Sequence, residues 1–207
     1  MSLGCIITYM KTTIFNTPIL SDIFHFLTRI IMWLAGWRVE GKLPDLPKFI
    51  MIGAPHTSNW DFVLFLGVIF TLRAEARYMA KAELFRFPIG WFFRYCGGYP
   101  VDRKKPTGLV GQMVEAINKE DKIVLTIAPE GTRHYVSDWK RGFYHIAKGA
   151  GIPIVMAQVD GKHKTVRILK EPFYPTDDIE ADMEAIKGKF EGVLGIHPRR
   201  KYITLES

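Results

Sequence analysis

The chain has 207 residues, 48% hydrophobic and 24% charged, with 28 Lys+Arg against 21 Asp+Glu for a formal charge of +7. These values fit a globular domain large enough for a real core, and they exclude a disordered or collagen-like chain. Two cysteines, Cys5 and Cys96, form no CxxC pair, which removes a disulfide framework and a cysteine-rich zinc site and fits a reducing compartment.

The N-terminus lacks the basic, apolar and small-residue regions of a signal peptide. Residues 18–37, PILSDIFHFLTRIIMWLAGW, contain Asp22, His25 and Arg29, so this stretch is not expected to cross a membrane. The three polar residues are spaced three and four apart and share a helical face, while Ile23, Phe26, Leu27, Ile30 and Leu34 lie opposite. The expected element is an amphipathic helix capped by Ser21 or Asp22. Such a helix either packs on its own domain or lies in a membrane interface. Residues 1–37 are therefore set apart as a membrane-interface segment, and 38–207 as the main domain.

Residues 49–54 follow two prolines and read as a buried strand, and 61–72 follow as a buried helix too short to span a bilayer. Short strands are expected at 77–80 and 99–101, with Trp91, Phe92, Phe93 and Arg94 between them as a further candidate lipid contact. Then come a helix over 108–118, a strand over 123–128, a helix over 143–150 and a strand over 152–159. An edge strand over 166–169 and a polar amphipathic helix over 178–190 close the series. This alternation predicts an α/β fold with a mainly parallel central sheet covered by helices.

The informative motifs fall in loops after strands, where open α/β sheets bind ligands. His56-Thr57-Ser58-Asn59-Trp60-Asp61 follows the strand over 49–54. A loop leading into a helix can fold Asp61 onto one ring nitrogen of His56, leaving the other free to take a proton from a hydroxyl. Taken alone, HxxxxD also suits a helix-capping Asp61 or Asn59 beside an ordinary loop histidine. Gly97-Gly98-Tyr99-Pro100-Val101-Asp102-Arg103 offers a tight turn and a guanidinium fork suited to phosphate. Pro129-Glu130-Gly131-Thr132-Arg133 follows the strand over 123–128; there Arg133 can clamp an anion, and Glu130 can orient an arginine or accept a substrate hydroxyl. Trp139-Lys140-Arg141-Gly142-Phe143 opens the next helix, where cations and free backbone N–H groups could form an anion site. Either loop also reads as a charged turn in solvent.

In this order and spacing, HTSNWD, GGYPVDR, APEGTR, WKRGF and GIPIVMAQV resemble the blocks of the glycerolipid acyltransferases, nearest to the lysophosphatidic acid (1-acylglycerol-3-phosphate) acyltransferase-like group. The resemblance runs from about residue 37 to residue 159. It implies transfer of a fatty acyl group from a coenzyme A or acyl carrier protein thioester to a lipid hydroxyl, on a membrane surface, in phospholipid biosynthesis. It makes His56 the general base and Asp61 its orienting partner. It also assigns Arg103, Glu130, Gly131, Thr132 and Arg133 to the acceptor and its phosphate. No metal or other cofactor is expected, because a thioester is already activated. The expected location is peripheral, on the cytoplasmic face of the membrane. Many members carry Asn before the histidine, where this chain has Pro55, so an amino-acid-derived lysolipid stays open as acceptor. A non-catalytic lipid-binding protein is the other alternative.

Other classes fit less well. No nucleic-acid recognition motif appears, and the basic residues are spread along the chain, so nucleic acid is not the expected partner. GxSxG, GxxxxGK[ST] and HExxH are absent from the sequence, which argues against a serine hydrolase, a P-loop enzyme and a zincin.

Overall fold

A computed structural model describes residues 12–101, 108–134 and 136–197. Among them, β1 (Arg38–Glu40), β2 (Lys48–Ala54), β3 (Ala76–Lys81), β4 (Gly98–Val101), β5 (Ile123–Ile127), β6 (Ile154–Asp160) and β7 (Thr165–Ile168) form one sheet. Their order is β1-β7-β6-β2-β5-β3-β4. The five strands from β6 to β4 are parallel, as the alternating pattern predicts. β7 runs antiparallel to β6 because only residues 161–164 join them, too few for a parallel crossover. The strand expected at an edge lies one place in, since β1 pairs outside it in parallel. Three residues of β1 are too few to show a pattern in the sequence.

The helices are α1 (Leu20–Leu34), α2 (Trp60–Thr71), α3 (Gly90–Tyr95), α4 (Gly108–Lys119), α5 (Gly142–Ala150) and α6 (Ile179–Gly188). A 3₁₀ turn, Ala82–Phe85, precedes α3. Alternation along β2 sorts the core into two layers. Ile50, Ile52 and Ala54 pack with residues of α4, α5 and α6, while Phe49 and Met51 pack with α2.

α1 packs on α2 through a mixed face that includes Phe24, His25 and Met32, leaving most of its large apolar residues outward. Asp22 pairs with Arg73 at 2.7 Å, and His25 Nδ1 donates to the Phe70 carbonyl at 2.7 Å. Phe24 stacks on Phe70, and Met32 is buried. The apolar face points outward: Phe26 is 66% exposed, Trp33 76% and Leu34 71%. Neither Ser21 nor Asp22 caps this helix: it begins after Ile19, before either residue, and the N–H groups of Leu20, Ser21 and Ile23 donate to the carbonyls of Pro18, Thr17 and Ile19 instead of to a capping side chain. No helix among the described residues is long and apolar enough to cross a membrane.

Candidate active site

β2 ends at Ala54, the Ala54–Pro55 peptide is cis, and the chain turns through 56–59 into α2. Ser58 Oγ accepts from the Trp60 N–H at 3.1 Å and caps the helix start. That turn folds Asp61 back onto His56, with Oδ2 2.8 Å from Nδ1. The same oxygen accepts from the backbone N–H groups of Thr57 and Ser58, both at 2.7 Å. Three donors and the positive end of α2 converge on this carboxylate oxygen. An ionised Asp61 can only accept, so Nδ1 carries a hydrogen; in the neutral ring the lone pair is then on Nε2.

β5 lies beside β2, so its following loop reaches the same place. Glu130 is buried, and its Oε1 accepts from the His56 N–H at 2.8 Å. Burial pushes the Glu130 carboxyl above the usual carboxylate range, with the His56 N–H opposing that shift. Its other oxygen and Asp61 Oδ1 are buried and make no hydrogen bond among the described residues. Glu130 thus holds the backbone of the histidine instead of turning to Arg133.

Gly131 takes φ +62°, the left-handed region, where a side chain strains the backbone. Thr132 Oγ1 accepts from the His134 N–H at 3.2 Å. Arg133 is exposed and has no ion pair among the described residues. Arg103 lies outside the described residues.

The structure adds two features that no motif announced. One is an apolar cavity of about 290 Å³ between α2 and the sheet, with His56 and Asp61 at one end. Its floor is Gly53, Thr126, Ala128 and Ala157, and its roof is Leu64, Phe65 and Val68 of α2. Small residues at alternate strand positions were the available signal. The other is the segment after α6, which crosses the loop at 55–59. The His197 N–H donates to Thr57 Oγ1 at 3.1 Å, and the Gly161 N–H donates to the Leu194 carbonyl. Among the described residues no group of three His, Cys, Asp or Glu is placed to hold a metal ion.

Comparison with known proteins bears on the family and the fold. The model of the Acyltransferase family matches residues 37–159, from β1 through nearly all of β6. The 1-acyl-sn-glycerol-3-phosphate acyltransferase of Streptococcus pneumoniae is 30% identical over 67% of this chain and 54% of its own length. That of Saccharomyces cerevisiae is 36% identical over 56% of this chain and 39% of its own. The chain therefore spans about half the length of the curated relatives it matches. The crystal structure of the 1-acyl-sn-glycerophosphate (LPA) acyltransferase PlsC from Thermotoga maritima superposes with a TM-score of 0.61 at 21% identity, covering 91% of this chain and 80% of that one, and shares the fold. With more than half of its length matched by the family model, the chain belongs to the acyltransferase family.

Proposed function

We propose that this protein transfers a fatty acyl group from a thioester, of coenzyme A or acyl carrier protein, to the hydroxyl of a lysophospholipid such as lysophosphatidic acid. The observation that carries this reading is the His56–Asp61 contact, 2.8 Å, at one end of an apolar cavity. Asp61 holds Nδ1–H, and Nε2 takes the proton of the acceptor hydroxyl as its oxygen attacks the thioester carbonyl. The tetrahedral intermediate collapses, the C–S bond breaks, and the imidazolium returns its proton to the leaving thiolate. The cavity takes the acyl chain, whose burial contributes about 0.8 kcal/mol per CH₂. Glu130 keeps the His56 backbone in place, while Arg133, Thr132 and Arg103 bind the acceptor phosphate across Gly131.

The same reading places the protein on the cytoplasmic face of a membrane. The outward apolar face of α1 is too extensive for a surface meant only for water, and Trp60, Phe62, Phe87 and Trp91 are exposed as well. The positive charge favours anionic lipid. Residues 1–37 then serve as the interface segment of the acyltransferase domain at 38–207.

The test is His56→Ala, with thiol release measured from acyl-CoA and acyl carrier protein donors and lysophosphatidate as acceptor. A loss of about 10²–10⁴-fold in kcat, with an unchanged melting temperature, is expected. Equal rates for parent and variant would remove the mechanism.

A further inference from the structure

The segment Trp139-Lys140-Arg141 brings two cations next to the loop at 129–133, and the structure separates them. Arg141 is committed to α6: its guanidinium meets the Glu180 carboxylate at 2.6 and 2.9 Å. Trp139 is held edge-on to Phe190, with ring centres 5.1 Å apart. Between these two anchors the Lys140 N–H donates to the Pro129 carbonyl at 2.9 Å, which fixes the lysine against the loop. Its side chain then runs across the α-carbon of Gly131. A Cβ built there would sit 2.7 Å from Lys140 Cδ and 3.0 Å from Nζ. Gly131 is required by its positive φ, and the end of the lysine side chain fills the space over it.

Lys140 has no acidic partner among the described residues, in contrast to Lys119, Lys148 and Lys187, each of which has one. Arg133, two residues beyond Gly131, also lacks one. Two uncompensated cations are held by one loop whose preceding residue, Glu130, anchors the backbone of His56. A phosphate dianion bound at this loop would gain charge-assisted hydrogen bonds from such cations.

We propose that Lys140 is a phosphate-binding residue of the active site, laid over Gly131 to meet a phosphate monoester together with Arg133. This assignment rests on the acyltransferase reading for its substrate, but its binding test does not need turnover. A phosphate monoester occurs on lysophosphatidate and on the ribose of coenzyme A, and the experiment separates the two.

Binding of 1-oleoyl-lysophosphatidate and of 1-oleoylglycerol, which lacks the phosphate, is measured by calorimetry on the full chain in neutral detergent micelles. Coenzyme A and dephospho-coenzyme A form the donor arm. K140M keeps the stem over Gly131 and removes the charge; K140R keeps the charge. In K140M the preference for the phosphorylated member of one pair is expected to fall roughly tenfold, and K140R to restore most of it. The pair that responds names the source of the phosphate. In turnover, K140M raises KM for that substrate by a similar factor and leaves kcat within about twofold. R141A is the structural control, lowering the melting temperature without changing either preference. Unchanged preferences in K140M for both pairs overturn the proposal. A parent that binds with these preferences yet transfers no acyl group would instead defeat the acyltransferase reading and leave the lysine site standing.

Discussion

On the side of the sheet covered by α4, α5 and α6, the strands present Ile50, Ile52, Leu125, Ile154 and Met156, all buried, and the helices answer with Ile117, Phe143, Ile146 and Met183. On the opposite side the C-terminal halves of the same strands present Gly53, Thr126, Ala128 and Ala157, and α2 passes over them with a cavity beneath. Beyond α2, α1 turns its apolar residues away from the protein. One sheet therefore has a face closed by packing and a face left open in two places, once inside and once outside. The closed face supplies stability, and the open face leaves the space and the exposed apolar surface to which the proposed function assigns the acyl chain and the lipid.

The largest effect that would sharpen this contrast concerns the outer opening. Phe26, Trp33 and Leu34 are exposed, so replacing all three with Ser removes little packing. Each such side chain gains about 1.5–3 kcal/mol on entering an apolar phase. The triple variant is expected to lose at least roughly a hundredfold in affinity for anionic liposomes by flotation, with its melting temperature held or raised. Liposome binding equal to the parent would mean that α1 does not face the bilayer.

A smaller effect separates the two faces of the sheet. Ile146→Ala opens a void in the closed layer and is expected to cost about 2–5 kcal/mol in denaturant unfolding, while activity per folded molecule is kept. Gly53→Leu acts in the opposite way. A Cβ at Gly53 meets nothing within 4 Å, so the added side chain enters the cavity at a cost below about 1 kcal/mol. The variant should shift preference toward shorter acyl donors in a chain-length series. A destabilised Gly53→Leu with the parent's donor preference would place the acyl chain elsewhere.

These contrasts also show what was legible in the sequence. Buried parallel strands carry long apolar runs, so β2, β5 and β6 stood out, and their following loops exposed HTSNWD and PEGTR. Local rules allowed the His56–Asp61 contact but equally a capping Asp61 beside a loop histidine, and the resemblance of the ordered blocks chose the contact that the turn makes. Which way α1 faces was not legible, since an amphipathic pattern gives two faces and no direction. The direction came from Asp22 and His25 finding Arg73 and Phe70 about 50 residues on. Glu130 was visible as a motif residue, but its partner is the backbone of His56, 74 residues away, and only strand order brings them together. The strap at 190–197 has no motif, and although Lys140 sits in the WKRGF block, the course of its stem over Gly131 depends on tertiary packing.

The smallest expected effect tests Glu130. Burial raises the pKa of this carboxyl in the folded state above its unfolded value. The stability that it contributes is therefore fully present below the unfolded pKa, near 4.3, and is lost as pH rises through the folded value. Glu130→Gln never ionises, and its carbonyl oxygen can still accept from the His56 N–H. The buried amide group introduces a donor whose satisfaction does not vary with pH and sets a constant offset of about 1–3 kcal/mol. The prediction accordingly concerns slope. Melting temperatures of variant and parent, measured from pH 4 to pH 8, should diverge in the variant's favour as pH rises. A difference that stays flat across this range would mean that Glu130 ionises as freely as in water, and that the tie between the β5 loop and His56 is not a buried one.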